Sequence, residues 1–442
     1  MTTADRPPRR LSPLTPLVRG FIVPVAVLFS TWDDLLRGDV GPVALVLLGL
    51  LLAGAVYGTA SWLRTSYWIE ADELRVDTGV VSRQSRRIRV DRIQGVDVSQ
   101  PFMARMFGLA ELKLDVAGGG AEGSLAYLTL ADAEELRETL LRRRDVARKD
   151  EAGEAGEGGA PDAPPPAPER EELLARLDPR TLVLSLVLAP DTVVFLLVAV
   201  AVGTTVALMG SVGGMATVVP IVIGWALTQS RRLSAFHRFT VTALPGRLHV
   251  RRGLFTLDSA TITLARVQGV AVSEPLLWRP FGWARLDVSL AGESGSHDDD
   301  RPASTTVLPV GPRPLVLALA RRLLVEAGSP DPDAVVLRPV PARARWVAPV
   351  RHRFLAAGAD EHLVVARDGW TTRRTQAVPH ARVQSLRLHQ GPWQRRLGLA
   401  DVHVDSPPGP VHVVARHRDA AEARRLLDAE TVAARAARVA QA

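Results

Sequence analysis

The chain is 442 residues long, which leaves room for about three domains of ordinary size. Because it has no cysteine, it cannot form disulfides, zinc ribbons, thiolate nucleophiles or cysteine-ligated iron–sulfur clusters. Its 54 basic and 47 acidic side chains give a net charge of +7. An excess of this size in so long a chain does not indicate a nucleic-acid partner.

Apolar residues are concentrated in four runs, which the sequence predicts to be transmembrane helices. A helix needs about 20 apolar residues to cross a bilayer, and the runs are grouped in two pairs. They cover residues 20–32, 40–63, 181–209 and 212–228. We therefore expect two transmembrane hairpins, over residues 17–63 and 177–229.

Arginines beside these runs predict the side of the membrane on which the rest of the chain lies. They flank both hairpins at their open ends: Arg6, Arg9, Arg10, Arg19, Arg64, Arg75, Arg176, Arg180, Arg231 and Arg232. The positive-inside rule then predicts a multi-pass cell-membrane protein with both termini and all folded domains in the cytoplasm. Asp191 lies in the third run, where a carboxylate can carry protons or can sit at an interface, and the two interpretations stay open.

One block of sequence occurs three times, with starts 174 and 116 residues apart, a spacing typical of domains rather than of a solenoid. Four residue types recur at fixed offsets from its first arginine: Arg at 0, Gln at 2, Arg at 13 and Gly at 16. These signature residues are Arg92, Gln94, Arg105 and Gly108, then Arg266, Gln268, Arg279 and Gly282, then Arg382, Gln384, Arg395 and Gly398.

Each copy lies in a strand-rich stretch that ends in an amphipathic helix. In the first copy, residues 73–77, 80–83, 86–90 and 109–117 have the alternation of strands. Closing helices are expected at 132–144, 314–326 and 419–428, with Asp132 and Asp419 as N-caps. The fold class is therefore α+β with membrane α-helical hairpins: four transmembrane helices and three β-roll or small-barrel domains, each closed by a C-terminal helix.

Composition places the boundaries between these parts. The expected segments are a cytoplasmic N-terminal segment 1–16, hairpin 17–63, domain 64–145, linker 146–170, hairpin 177–229, domain 230–327, domain 343–430 and tail 431–442. The linker is rich in Gly, Ala, Pro and acidic residues and is expected to be disordered. A polar insertion at 292–306 is expected to extend a hairpin loop of the second domain. The third domain has no apolar hairpin of its own.

The repeated block, the strand-rich frame, the closing helix and the preceding apolar hairpin resemble the bacterial pleckstrin-homology-like (bPH2) domain family of YdbS- and YdbT-type membrane proteins. The YdbT-like branch, with two hairpins and three domains, is most similar. The resemblance implies a pleckstrin-homology-like (PH-like) fold and a cytoplasmic-membrane location. It often implies a smaller, single-domain YdbS-like membrane protein as a partner. It implies no catalytic residue and no cofactor.

The signature arginines and glutamines either contact a ligand or have a structural role, and we expect the structural role. Arginine and glutamine side chains can satisfy loop carbonyls where a strand ends, and the glycines allow a positive φ. Apolar residues at offsets 1, 4 and 6 can share one core only if an extra residue is accommodated after the first. We therefore expect a β-bulge at Gln94–Gly95, Gln268–Gly269 and Gln384–Ser385.

Two other clusters allow more than one interpretation. Arg83, Arg86, Arg87 and Arg89, which lie close after the first hairpin, either contact anionic lipid or form a solvated strand face. His403 and His412 flank a turn in the third domain and suggest chelation. Outward polar residues opposite an inward valine face are, however, the ordinary pattern of a half-buried strand, so we expect no metal site.

The sequence contains no Walker loop, nucleophile elbow, zincin helix or dinucleotide-binding fingerprint, so we expect no enzyme activity. The expected function is that of a polytopic membrane protein whose three cytoplasmic domains form a scaffold or interaction module. Its partners would be a protein, the anionic leaflet of the lipid bilayer or a second copy in a homo-oligomer, with no nucleic acid. The alternative is a component of a transport or export complex.

Overall fold

The computed structural model places the chain in two compact units, residues 1–168 with 255–261 and residues 169–254 with 262–442. It describes residues 9–10, 49, 59–60, 64–70, 73–78, 84–90, 93–116, 123–153, 172–208, 212–254, 256–291, 306–325, 330–407 and 409–441.

The first unit contains a domain of short antiparallel strands and a closing helix. Its elements are β1 (Arg9–Arg10), β2 (Ser66–Glu70), β3 (Glu73–Thr78), β4 (Gln84–Arg89), β5 (Ile93–Gln100), α1 (Phe102–Met106), β6 (Leu109–Val116), β7 (Gly123–Thr129) and α2 (Leu130–Gly153). Strands β1 to β4 pair in sequence order, as do β5 to β7. Alternate strand residues such as Leu74, Val96 and Leu112 face one core, to which α2 contributes Leu140.

The second unit contains two further domains of the same kind. The first of them carries three helices, and its residues 255–261 belong to the first unit. Its elements are β8 (Glu172–Arg176), α3 (Pro179–Val187), α4 (Pro190–Leu208), α5 (Val212–Phe236), β9 (Thr240–Leu244), β10 (Arg247–Arg252), β11 (Leu257–Thr263), β12 (Val267–Pro275), β13 (Trp283–Leu290), β14 (Thr306–Pro312) and α6 (Arg313–Leu323). One 3₁₀ turn (Leu264–Arg266) joins β11 to β12, and another (Leu276–Phe281) joins β12 to β13.

The third domain follows the same order with shorter helical segments. Its elements are β15 (Arg338–Pro339), 3₁₀ turns over Ala342–Trp346 and Arg351–Phe354, β16 (Ala356–Ala359), β17 (Leu363–Asp368), β18 (Thr372–Pro379), a 3₁₀ turn over His380–Arg382, β19 (Ser385–His389), α7 (Pro392–Arg396), β20 (Leu399–Asp405), β21 (Val413–Asp419) and α8 (Ala420–Gln441). The prediction of three β domains, each closed by a helix, is confirmed.

The position of the helical segment within each domain was not evident from the sequence. β8 pairs with β9, with Glu172 opposite Ala243, although α3, α4 and α5 lie between them in the chain. β1 likewise pairs with β2 across residues 11–65. In the second domain the helices are therefore inserted between the first and second strands, and residues 11–65 hold the same place in the order of the first domain. In the third domain the two 3₁₀ turns between β15 and β16 occupy this place.

A strand pairing joins the second and third domains. β12 pairs with β18, and strands of both domains form one seven-stranded antiparallel sheet. In the first unit, β5 pairs with residues 257–259 in the same manner. Ser99 faces Asp258 and Ser273 faces Arg374. Each serine lies seven residues after the signature arginine of its own domain. Each partner, Asp258 or Arg374, lies eight residues before the signature arginine of the next domain, so the two pairings have the same register.

The prediction of four transmembrane helices is wrong. Within the described ranges no single helix is long and apolar enough to cross a membrane, whereas α3 together with residues 190–206 of α4 passes that test as a pair bent by 51°. The bend has a local cause, because Pro190 has no N–H and disfavours a helical conformation at the residue before it. The expected spans 20–32 and 40–63 lie outside the described residues, apart from 49, 59 and 60.

Several local expectations also needed correction. Thr129, not Asp132, caps α2, because its Oγ1 accepts a hydrogen bond of 3.2 Å from the Asp132 N–H. Asp419 caps α8 as expected, with Oδ1 accepting from the Ala421 N–H at 3.0 Å. The expected tail 431–442 is helical to Gln441, in keeping with its alanine-rich sequence. α2 extends into the expected linker as far as Gly153, and residues 80–83, 154–171 and 292–305 lie outside the described part of the chain.

Candidate functional site: the signature turn and the surface beside it

The expected bulge is present at the start of the signature strand. The register shifts between Ile93 and Gly95 in β5 and between Val267 and Gly269 in β12, which confirms the prediction for the first two copies. In the third copy β19 begins only at Ser385. There the Gln384 N–H donates to the carbonyl of Asp405, the residue that Ser385 faces, at 2.9 Å.

The R-x-x-G segment closes a tight turn in the same way in all three domains. The N–H groups of Gly108, Gly282 and Gly398 donate to the carbonyls of the arginines three residues earlier, at 3.0, 3.0 and 3.2 Å. The glycines have φ of 68°, 65° and 62°, which confirms the expected positive φ. Each glycine carbonyl in turn accepts from the first residue of the closing helix, at 3.1, 2.7 and 2.9 Å. This signature turn therefore fixes where the closing helix begins.

The signature arginines and glutamines in the second domain contact backbone carbonyls. Arg266 donates through Nε and Nη2 to Ala291 O, at 3.0 and 2.6 Å. Gln268, which is buried, donates through Nε2 to Arg266 O at 3.2 Å. Arg279 donates through Nε to Glu274 O at 3.3 Å and through Nη2 to Trp370 O at 3.0 Å. These contacts agree with a structural role, which stays a hypothesis.

The other signature side chains are placed differently. Arg382 donates to Ala265 O at 3.1 Å, whereas the Gln384 side chain is exposed. Arg105 and Arg395 are exposed beside their turns. Arg92 and the side chain of Gln94 lie outside the described residues. The signature therefore has its full set of carbonyl contacts in the second domain, while the third domain shares only part of it.

The basic cluster of the first domain lies on an edge strand. Arg86, Arg87 and Arg89 are exposed on β4, which is the last strand in the order β1-β2-β3-β4. Arg83 lies outside the described residues. The exposed arginines could meet an anionic surface, and their position at a sheet edge also discourages unwanted strand pairing.

The three helices of the second domain have a large exposed apolar surface. It is formed by Val183, Leu184 and Val187 of α3, by Val194, Leu196, Leu197, Val198, Val200, Val202 and Leu208 of α4, and by Ile221, Val222, Ile223 and Leu227 of α5. At one end of this surface, Arg232 of α5 forms an ion pair with Asp191 of α4, and Gln229 bonds Thr192. Asp191 is thus paired beside the polar end of the helices. Large apolar side chains exposed in such number on neighbouring helices mark a protein or membrane contact.

α3 joins these helices to the signature turn of the second domain. Its inner face places Leu182 in the core of that domain, while Val183 and Leu184 of its other face are exposed. Trp278, which directly precedes the signature turn, is buried and donates from Nε1 to Ser185 O of α3 at 3.1 Å. Sequence reasoning missed this contact because Trp278 and Ser185 are 93 residues apart. The turn therefore lies where the apolar helices meet the β domain.

Among the described residues, most of the groups whose pKa is shifted from its ordinary value lie in the third domain. His380 is buried against Glu430 of α8, with Nδ1 2.7 Å from Oε1, and its Nε2 lies 3.0 Å from Asp360 O. Since a carbonyl can only accept, Nε2 carries a proton, and a carboxylate at Nδ1 favours the doubly protonated ring. Burial alone would lower the pKa of His380, but the bond and charge of Glu430 outweigh it and raise the pKa above its ordinary value.

The histidine pair considered for metal binding gives no metal centre in the part of the chain that the structure describes. Among those residues, no group of three or more His, Asp or Glu is arranged to hold an ion. His403 lies on β20, where its ring packs edge-on against His389 with centroids 6.2 Å apart. The backbone N–H of His412 donates to the Gln376 side chain.

Comparison with known proteins gives two further findings. The sequence pattern described as "Bacterial PH domain" matches residues 19–144, 184–327 and 334–431, one match for each domain. UPF0699 transmembrane protein YdbT of Bacillus subtilis (strain 168) is 23% identical over 346 residues. That alignment covers 69% of this chain and 66% of the relative, just under two thirds of its length. The resemblance inferred from the repeated block is confirmed.

Proposed function

The chain belongs to the bacterial PH domain family, and on that premise we propose that it is a membrane-anchored, non-enzymatic scaffold. The observation that carries the membrane part is the exposed apolar surface of α3, α4 and α5. The relative named a transmembrane protein supports the same location. The helices enter the cell membrane from the cytoplasmic side and the chain returns to that side, so that both termini are cytoplasmic.

The pairing of β12 with β18 supports the scaffold part of the proposal. It joins two domains through six facing residue pairs, from Val270 opposite Ala377 to Pro275 opposite Thr372. An ion pair adds to it, because Glu274 is buried and accepts from Arg313 Nε at 3.1 Å, with Arg373 of the third domain 3.7 Å away. Domains fused in this way hold their outer surfaces at fixed positions, which is what a scaffold requires.

Three partners follow from this proposal. An anionic leaflet would meet the exposed arginines of β4, each worth about 1 kcal/mol near such a surface. A smaller, single-domain YdbS-like membrane protein and a second copy of this chain are the protein partners that we propose. Purification of the full chain in mild detergent would test them: a stoichiometric small membrane protein or a homo-oligomer supports the scaffold. Co-purification of a nucleotide-hydrolysing subunit contradicts it.

The membrane part is tested by location and topology. The full chain is expected to stay with the membrane after an alkaline carbonate wash, because apolar contacts do not depend on charge. Reporters fused after residue 237 and at the C-terminus are both expected to report cytoplasm. Release of the chain by the wash, or an external signal at residue 237, would contradict the proposal.

A further inference from the structure

We propose that the third domain rests on an anionic bilayer through a tryptophan–arginine patch formed by Trp346, Arg345, Trp393 and Arg396. The patch lies at the place in the third domain that corresponds to the helix attachment of the second. The inference rests on the proposed function, since it requires a membrane close to this domain. It concerns a surface that the arginines of β4 do not share.

The repeated fold carries the correspondence. In the second domain the first strand, β8, is followed by α3. A carbonyl of α3 accepts a hydrogen bond from Trp278, the residue just before the signature turn. In the third domain the first strand, β15, is followed by the 3₁₀ turn Ala342–Trp346. Arg343 of that turn donates to the carbonyl of Gly398, in the third signature turn, at 3.3 Å. The segment after the first strand therefore lies against the signature turn in both domains.

The side chains at this place differ between the two domains in their exposure. By the signature offsets, Trp393 corresponds to Leu277 of the second domain, which is 39% exposed, whereas Trp278 corresponds to Gln394, and both of these are buried. Trp346 and Trp393 of the third domain are 73% and 70% exposed. The third domain thus has large aromatic surfaces in solvent at the position where the second domain has its membrane-directed helices.

A cation accompanies each of these rings. The guanidinium carbon of Arg345 lies 5.3 Å from the centroid of Trp346, and that of Arg396 lies 5.5 Å from Trp393. Both arginines are exposed. The neighbouring carboxylate, Asp419, is engaged in an ion pair with Arg343. Each ring is therefore presented together with a positive charge, and the bond from Arg343 to Gly398 joins the two segments that carry the pairs.

This combination suits the interface of an anionic bilayer. Tryptophan favours the headgroup level, where its apolar body and polar N–H are both accommodated. Arginine binds phosphate through a planar set of donors, and anionic leaflets attract such cations. Tryptophan and arginine are also common at the centres of protein interfaces, but the correspondence with the α3 attachment favours the membrane.

Because the chain has no cysteine, single introduced cysteines can report local environment in the full protein. An environment-sensitive fluorophore at Ala342→Cys, beside the patch, is expected to shift to shorter wavelength on transfer from detergent to vesicles of phosphatidylcholine with about one third phosphatidylglycerol. The matched control is Val432→Cys on the exposed face of α8, where no shift is expected. The shift at Ala342→Cys should be lost when Trp346→Ala and Trp393→Ala are added, and reduced in neutral vesicles.

A third label, at Leu197→Cys on α4, separates this inference from the proposed function. Short-wavelength emission at Leu197→Cys in vesicles, without a shift at Ala342→Cys, would overturn the patch proposal and leave the membrane anchor standing. Emission at Leu197→Cys in vesicles at the wavelength of a water-exposed label, together with no shift at Ala342→Cys, would contradict both. An equal shift at Val432→Cys, or one at Ala342→Cys that needs an added soluble protein, would also overturn the proposal, the second by assigning the patch to a protein partner.

Discussion

The signature strands of the second and third domains have related sequences but different surroundings. β12 is covered by β18 along its edge, and all of its residues are buried. In the described chain β19 lies at the edge of a three-stranded sheet, and most of its residues are exposed. Gln268 and Gly269 are enclosed in the first setting, whereas Gln384 and Ser385 are exposed in the second. We therefore expect the same motif to contribute more to stability where a strand of a neighbouring domain pairs with it.

The largest effect is expected in the third domain, where α8 depends on one buried pair. Glu430→Ala would leave the buried His380 without its partner. Because burial alone lowers the pKa of His380, the ring would lose its second proton and keep an unbonded Nδ1, at a cost of about 3 kcal/mol in the free energy of opening α8. Hydrogen exchange of α8 followed by mass spectrometry would measure it. The control is Asp428→Ala, two residues earlier on α8 at an exposed position, which should change that free energy by less than about 0.5 kcal/mol. Equal exchange in the two variants would contradict the importance of the pair.

The same pair predicts a pH dependence that the second domain should lack. The pKa of His380 is raised in the folded state above its ordinary value of 6.5. Its contribution to stability is thus fully present below that value and is lost as the pH rises through the raised pKa. The protection of α8 against exchange, corrected for the intrinsic pH dependence of amide exchange, should fall over this interval, while that of α6 of the second domain stays unchanged. The dependence should vanish in Glu430→Gln; its persistence there would assign it to another group.

Gly269 tests the covering of β12 directly. A Cβ at this position would lie 2.9 Å from both Ala377 O and Val378 Cγ2, so Gly269→Val must push β18 away. We expect a loss of about 1–3 kcal/mol, measured as faster exchange in β12 and β18. Ser385→Val is the matched substitution at the open strand and should have little effect. A similar loss in both variants would mean that β18 does not cause the difference.

The smallest effect is expected for the signature glutamine. Gln268→Ala removes the hydrogen bond to Arg266 O in a buried place and should cost about 1 kcal/mol in the stability of the β12–β13 pairing. Gln384→Ala, at an exposed side chain, should stay within about 0.5 kcal/mol of the parent. Thermal unfolding of both full-length variants would compare them. An unchanged unfolding temperature in Gln268→Ala would contradict a structural role for this residue.

Local chemistry could be predicted from the sequence better than long-range placement. The bulge at Gly269 followed from apolar spacing, and the positive φ of Gly282 from its place before a strand, because both depend on neighbouring residues. The insertion between β8 and β9 was missed, since the five-residue β8 is separated from its partner by more than sixty residues. The expected span 181–209 failed for a different reason: it is one run by hydropathy alone, but the helix breaks before Pro190. The patch around Trp346 and Trp393 depends on exposure, which residue type alone does not give.

We propose that the second and third domains form one rigid body on a membrane anchor, and a distance measurement tests this most directly. Spin labels at Leu173→Cys on β8 and Val432→Cys on α8, both exposed positions in a cysteine-free chain, can be measured by double electron–electron resonance in lipid nanodiscs. The β12–β18 pairing predicts a single narrow distance distribution that broadens in Gly269→Val. A broad or multiple distribution in the parent protein would show that the domains move independently and would contradict the scaffold.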